Sequence, residues 1–274
     1  MTSLRVLSGA AKSQLKELLQ TLSSRNVLPV QRRDDDLFLV EFPKSGVTWL
    51  TFLVANVNVL LNETPRSVTF FNINDFVPDV HSFRHLSDTA SRYPGHRIIK
   101  SHAEYVAQYR KVFYLVRDPR HVMVSYWVFQ RELGFWSSGL EEFVKHPKHG
   151  IQAWNDHVNG WLDRIDPASS FSTVRYEDIV ANPAGELQRM YRLLGINLTN
   201  DIAVEAVERS RIERMRELEA EFVQGHPALQ KLRFVRPTAV GGEREPMSTE
   251  VREYIEREAK PLLIRLGYMR DVGA

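Results

Sequence analysis

The apolar run Leu37-Phe-Leu-Val-Glu-Phe42 stops at Pro43 and leads through Lys44-Ser45-Gly46 into a second apolar stretch. A short run of this kind is what a parallel sheet buries on both faces, so a strand is expected over 37–42. Gly46 permits backbone geometry that a side chain forbids. From Thr48 onward, Trp49, Leu50, Phe52, Leu53, Val54 and Val57 fall at helical spacing and predict a helix over 48–61. Backbone N–H groups at a helix start lack intrahelical partners. With the Lys44 ammonium and the Ser45 and Thr48 hydroxyls they form an anion site. It is not the P-loop of nucleotide triphosphatases, which needs Gly-x-x-x-x-Gly-Lys-Ser/Thr. Here the lysine precedes a single glycine.

A second strand-to-helix unit follows the same logic. Val112 to Val116 are apolar, Arg117 ends the run, Asp118 is placed as an N-cap and Pro119 as a first helical residue. Ligands of open α/β sheets collect beyond the carboxyl ends of the strands, so Lys44 and Arg117 should share one rim. Ser125, eight residues after Arg117, lies on the following helix and can return to the same anion. Between the two units, Arg97 to Lys100 reads as a short strand with His102 just beyond it. The chain has nine histidines. His102 stands apart because it follows a strand-end lysine between two anion-binding elements, while the rest read as structural or solvated.

The order Pro-Lys-Ser-Gly-x-Thr-Trp resembles the 5′-phosphosulfate loop of sulfotransferases that use 3′-phosphoadenosine 5′-phosphosulfate (PAPS). Arg117-Asp-Pro with Ser125-Tyr126 is similar to that family's 3′-phosphate segment, and Lys100-Ser-His102 to its Lys-x-His. The resemblance implies that Lys44, Ser45, Gly46, Val47 and Thr48 hold the phosphosulfate and that Arg117 and Ser125 hold the 3′-phosphate. It makes His102 the catalytic base, with Lys44 and Lys100 stabilising charge. Trp49, and Tyr176 in Tyr-Glu-Asp-Ile-Val-Ala-Asn-Pro, would touch adenine, with Ser210 and Ile212 on the same side. Near the C-terminus, Arg236 and Gly241 match a loop that closes over the 3′-phosphate. Pro237, Thr238 and Glu243 depart from that loop, and Pro237 has no N–H to donate. Ile212 lacks the aromatic face the family carries there.

The implied chemistry suits the residue types. Moving a sulfuryl group between in-line oxygens depends mainly on positioning and charge stabilisation. A neutral imidazole can take a hydroxyl proton near neutral pH. No metal is called for, and no strand-end carboxylate is placed as a magnesium ligand. The donor would be PAPS and the product 3′,5′-adenosine bisphosphate (PAP). The acceptor would be a hydroxyl on a small molecule, lipid or sugar. Two rivals are a P-loop-type kinase or hydrolase and a fold kept only as a binding module.

Composition bounds the rest. Thirty-six Lys and Arg against 34 acids leave +2, too balanced to argue for nucleic acid. No apolar run approaches a membrane span, and the N-terminus lacks a signal-peptide pattern. The absence of cysteine excludes disulfides and thiolate chemistry and is compatible with the cytoplasm. Alternating strands and helices predict one α/β domain over 1–274, with a central parallel sheet flanked by helices. The order is an N-terminal helix around 10–22, strands at 37–42, 97–100, 112–116 and 171–175, and helices at 48–61, 119–132, 140–146, 150–165 and 184–194. Two more helices span 200–220 and a last one 248–266. The resemblance makes segments 62–95, 133–150 and 221–246 the variable acceptor and lid regions. Their aromatics, Phe70, Phe71, Phe76, Phe83, Phe135 and Trp136, either line a pocket or pack as core.

Overall fold

Strand β1 (Leu37–Glu41) is buried at every position. The reason is its place in the sheet: it pairs in parallel with β2 (Ile98–Ser101) on one side and β3 (Lys111–Val116) on the other. Strand β4 (Ser170–Arg175) extends the sheet beyond β3, also in parallel, giving the order β2-β1-β3-β4. The computed structural model describes residues 33–80, 96–164, 170–226, 233–235 and 247–271. The N-terminal helix expected around 10–22 falls outside them.

Side-chain alternation along β1 divides the core in two. Phe38, Val40 and Phe42 pack with α3 (Pro119–Glu132), α4 (Leu140–Val144), α5 (Ile151–Leu162), α10 (Thr249–Glu258) and α11 (Lys260–Arg265). Leu37 and Leu39 pack with α1 (Val47–Leu61), α6 (Tyr176–Ala181), α7 (Pro183–Arg192), α8 (Asn200–Arg209) and α9 (Ile212–Gln224). A short α2 (Ile73–Phe76) adds Phe76 to this second face. The result is a three-layer α/β/α domain with a parallel sheet at its centre.

Three local expectations change. The helix expected over 248–266 is two helices, α10 and α11, because Pro261 has no N–H for the Arg257 carbonyl and the chain bends at Ala259. Between the strand expected at 171–175 and the helix expected at 184–194, Tyr176–Ala181 forms a further short helix with Glu177 and Asp178 in its first turn. Asn182 caps the helix that follows, its side chain accepting the Gly185 N–H. Helix α1 starts one residue early, at Val47.

At the amino-terminal edge, the register of β1 and β2 is pinned by a buried ion pair. Arg97 Nε donates to Asp36 Oδ1 at 2.7 Å and Nη2 to Oδ2 at 2.6 Å, with both side chains buried. Asp36 Oδ2 also accepts the Arg33 N–H. Removing one partner of such a pair strands a buried charge, at a cost of about 3–5 kcal/mol. Asp36→Ala should lose stability of that order in urea denaturation. Asp36→Leu combined with Arg97→Met should regain most of it.

Candidate active site

The sheet order reverses beside β1: the chain goes from β1 outward to β2, then returns to β3 on the other side. Ligands of open parallel sheets bind at the carboxyl end of this reversal. Loop 42–46 leaves β1 there, Arg117 follows β3, Lys100 and His102 lie at the end of β2, and Tyr176 follows β4.

The loop is bent by two residues of positive φ, Lys44 at 74° and Gly46 at 114°. A left-handed non-glycine residue is uncommon and is held only where its surroundings over-determine it. Part of that hold is the Phe42 carbonyl, which accepts the Ser45 N–H at 3.2 Å and its Oγ–H at 2.8 Å. Both Ser45 donors therefore brace the turn, and Ser45 is fully buried. Gly46 allows close approach as well: a Cβ there would lie 2.4 Å from the Tyr176 ring. The Lys44 ammonium sits 4.3 Å over the Phe129 ring on α3. Ser125 is four residues before Phe129, so it shares the α3 face that meets the loop.

Arg117 is presented by stacking. Its guanidinium lies 4.3 Å over the Tyr176 ring, and its buried Nε has no hydrogen-bond partner among the described residues. Asp118, the adjacent carboxylate, caps α3 and chelates Arg120 at 2.7–3.0 Å rather than pairing with Arg117. Trp49 meets Tyr176 edge to face at 6.1 Å and donates Nε1–H to the Ser210 carbonyl at 3.0 Å. Asn56 reaches the Ser210 hydroxyl at 3.0 Å, and Ile212 packs against the same half of the core. Trp49, Tyr176, Ser210 and Ile212 thus form one neighbourhood beside the loop. Arg236 lies outside the described residues. The chain just before it is anchored by buried Glu219, which accepts the Phe234 N–H and, at 3.0 Å, the Val235 N–H.

At the end of β2, Lys100 Nζ pairs with Asp79 Oδ2 at 2.9 Å. Segment 78–80 runs along the outer edge of β2 and exchanges backbone hydrogen bonds with Lys100. The backbone near His102 is pinned from α5, where Trp161 Nε1–H donates to the Ala103 carbonyl at 3.0 Å. Buried His157 bonds the Tyr114 hydroxyl at 2.9 Å and is pushed down to about 4 by burial, partly offset by the His102 and Ala103 carbonyls.

Two acidic residues at the site escaped the sequence reading, Asp79 and Glu41. The signal for Glu41 was a lone carboxylate inside an otherwise apolar strand. Its Oε2 accepts the Val47 N–H at 2.8 Å, so one helix-start amide is already committed. Its Oε1 lies 3.6 Å from His102 Nδ1. Burial raises Glu41 to about 8, against the pull of Lys100, the Val47 N–H, Lys44 and Arg117. Among the described residues no three His, Asp or Glu side chains gather to hold a metal ion. Of the variable-region aromatics, Phe70 packs on Phe52, Phe222 and Phe234, and Phe76 is buried. Trp136 packs on Phe143, whereas Phe71 is 59% exposed. Phe83 lies outside the described residues.

A family model described as the sulfotransferase domain matches residues 34–267. The chain belongs to the sulfotransferase domain family. Sulfotransferase 1C2 of Rattus norvegicus is 27% identical over 204 residues, spanning 68% of this chain and 67% of that protein. Cytosolic sulfotransferase 1 of Danio rerio is 26% identical over 210 residues, 66% and 69% of the two chains. Among solved structures, mouse sulfotransferase SULT7A1 complexed with PAP superposes with a TM-score of 0.63 at 18% identity, over 93% of each chain. Retinol dehydratase in complex with androsterone and the inactive cofactor PAP gives 0.63 at 21% identity, over 90% of this chain and 85% of that one. At these identities the structural likeness speaks for the fold.

The raised Glu41 carboxyl has a consequence for stability. Between pH 4.5 and about 8 the unfolded chain has given up the Glu41 proton while the folded one keeps it. The unfolded state then binds fewer protons, so this group makes stability fall as pH rises, by at most ~1.4 kcal/mol per pH unit. Glu41→Gln does not titrate. Urea denaturation at pH 5.5 and 7.5 should show the wild type losing more than ~1 kcal/mol relative to the variant. An unchanged difference would mean that Glu41 is not held neutral.

Proposed function

We propose that the protein transfers a sulfuryl group from PAPS to a hydroxyl acceptor, with His102 as general base. The observation that carries this reading is Arg117, stacked on Tyr176 with a buried Nε–H that has no partner among the described residues, beside a strained lysine loop. A guanidinium held by an aromatic face with a donor unspent suits a phosphate. The PAP-bound relatives of the same fold support the nucleotide, and the zebrafish relative's name supports a cytoplasmic setting.

Each residue then has a part. PAPS supplies an activated sulfuryl group on a phosphate leaving group. Lys44, Gly46 and Thr48 hold the 5′ end, with Ser45 bracing the turn and the Val47 N–H, expected at this anion, given to Glu41 instead. Arg117 and Ser125 hold the 3′-phosphate, with Arg236 as a third contact, and Trp49 and Tyr176 face the adenine with Ser210 and Ile212 behind them. Lys100 gives one of its three N–H donors to Asp79 and keeps others for the transferring group. His102 takes the acceptor proton, while Lys44 and Lys100 neutralise growing negative charge.

In a thermal-shift assay PAP should stabilise the protein more than AMP, and more than ATP with magnesium. Arg117→Ala should erase most of the preference for PAP over AMP, because charge-assisted hydrogen bonds of ~1.5–3 kcal/mol each are lost. His102→Ala should keep PAP binding and lose ~10²–10⁴-fold in turnover with a competent acceptor. Turnover should also persist in excess chelator. A PAP preference that survives in Arg117→Ala would overturn the 3′-phosphate assignment.

A further inference from the structure

We propose that Glu41 is the positioning residue of His102: its carboxylate holds the imidazole by Nδ1–H and leaves the Nε2 lone pair for the acceptor hydroxyl. The inference deepens the sulfotransferase reading and rests on it.

Strand register brings the two residues together. Val40 pairs with Ser101 across the β1–β2 ladder, so the next residues along, Glu41 and His102, face each other where the ladder ends. The Glu41 and His102 side chains are 2% and 14% exposed, leaving little water to compete. The separation of 3.6 Å between Oε1 and Nδ1 exceeds a hydrogen bond. Catalytic contacts are often long before substrate binds and tighten in the loaded complex. The Val47 N–H fixes the other oxygen at 2.8 Å, so the carboxylate cannot turn away without losing that bond. Glu41 therefore ties the helix start of the anion loop to the base.

The charges around Glu41 come from every neighbouring element. Lys44 lies in the loop, Lys100 on β2 beside Asp79, and Arg117 past β3, and all three favour its ionised form. Tyr114 on β3 is raised by burial and by the Glu41 charge, so it remains a neutral phenol. With Glu41 ionised, His102 carries its one proton on Nδ1 and Nε2 can accept. Proton transfer from the acceptor then yields carboxylate beside imidazolium. One added proton makes the resting pair either carboxylate with imidazolium or, with Oε2 held by the Val47 N–H, a carboxylic acid donating from Oε1 to Nδ1; both forms place a hydrogen on Nε2, and the base is lost. Turnover should therefore rise with pH as the pair gives up that proton, an ionisation shared by both residues.

The test uses the full chain labelled with ¹⁵N-histidine, with the His102 signals assigned by their loss in His102→Asn. Above pH 9, two-bond spectra of the wild type should show Nδ1 protonated and Nε2 bare. In Glu41→Gln and Glu41→Ala, Nε2–H should appear. Glu41→Gln keeps an acceptor for the Val47 amide and should still be stabilised by PAP. With PAPS and a competent acceptor its kcat should fall at least ~10-fold, with KM for PAPS little changed and the acidic limb of the pH profile displaced. An Nε2–H tautomer in the wild type, a tautomer indifferent to both substitutions, or a tautomer change with undiminished kcat would each overturn the proposal. The spectra read the Glu41–His102 pair without turnover. A chain that shows the expected tautomers but never responds to PAP would refute the function and leave the pairing standing.

Discussion

Everything at the site depends on β1 running parallel to both of its neighbours. Parallel pairing puts the carboxyl ends of all four strands on one edge, and the reversal of strand order opens a crevice there. Lys44, Lys100 and Arg117 sit far apart in the chain, yet this edge brings them to one place. Three cations at close quarters repel one another. The fold manages this with distinct partners: Lys44 over Phe129, Arg117 over Tyr176, and Lys100 against Asp79.

Glu41 is the counterweight set inside that group. A buried carboxylate is costly unless charges or hydrogen bonds stabilise it. Here a helix-start amide and three cations offset desolvation without cancelling it, and the carboxyl stays well above its ordinary range. A proton-handling group thus lies within reach of His102. At the opposite edge the Arg97–Asp36 pair plays a different part. It is bidentate and fully buried, and it fixes the register that makes Glu41 face His102. The two buried acids near β1 differ in consequence because one is held bidentately by a guanidinium and the other shares three more distant cations.

The strands, the main helices and the parallel sheet were legible because apolar periodicity is a local property. Lys44, Arg117 and His102 were legible because each follows an apolar run that must be a strand. The short helix 176–181 was not, since a few residues carry too little periodicity to stand out from the turn before Asn182. The break at Ala259 had a visible cause in Pro261, outweighed by the apolar pattern running across it. Segment 78–80 was hidden for another reason: it joins the sheet edge through backbone bonds, which leave no mark on side-chain choice.

The sequence by itself determined the order of elements, the strand–turn–helix form of the loop and the identity of the cations, because these follow from spacing and residue chemistry within a few neighbours. Only the tertiary structure decided how those groups are held. Ser45 turned its donors inward to Phe42, Arg117 was lifted onto Tyr176 with its Nε–H unmatched among the described residues, and Glu41 came to lie between a helix start and His102. Such contacts join residues distant in the chain, and whether a carboxylate is a solvated charge or a buried proton carrier depends on what packs around it.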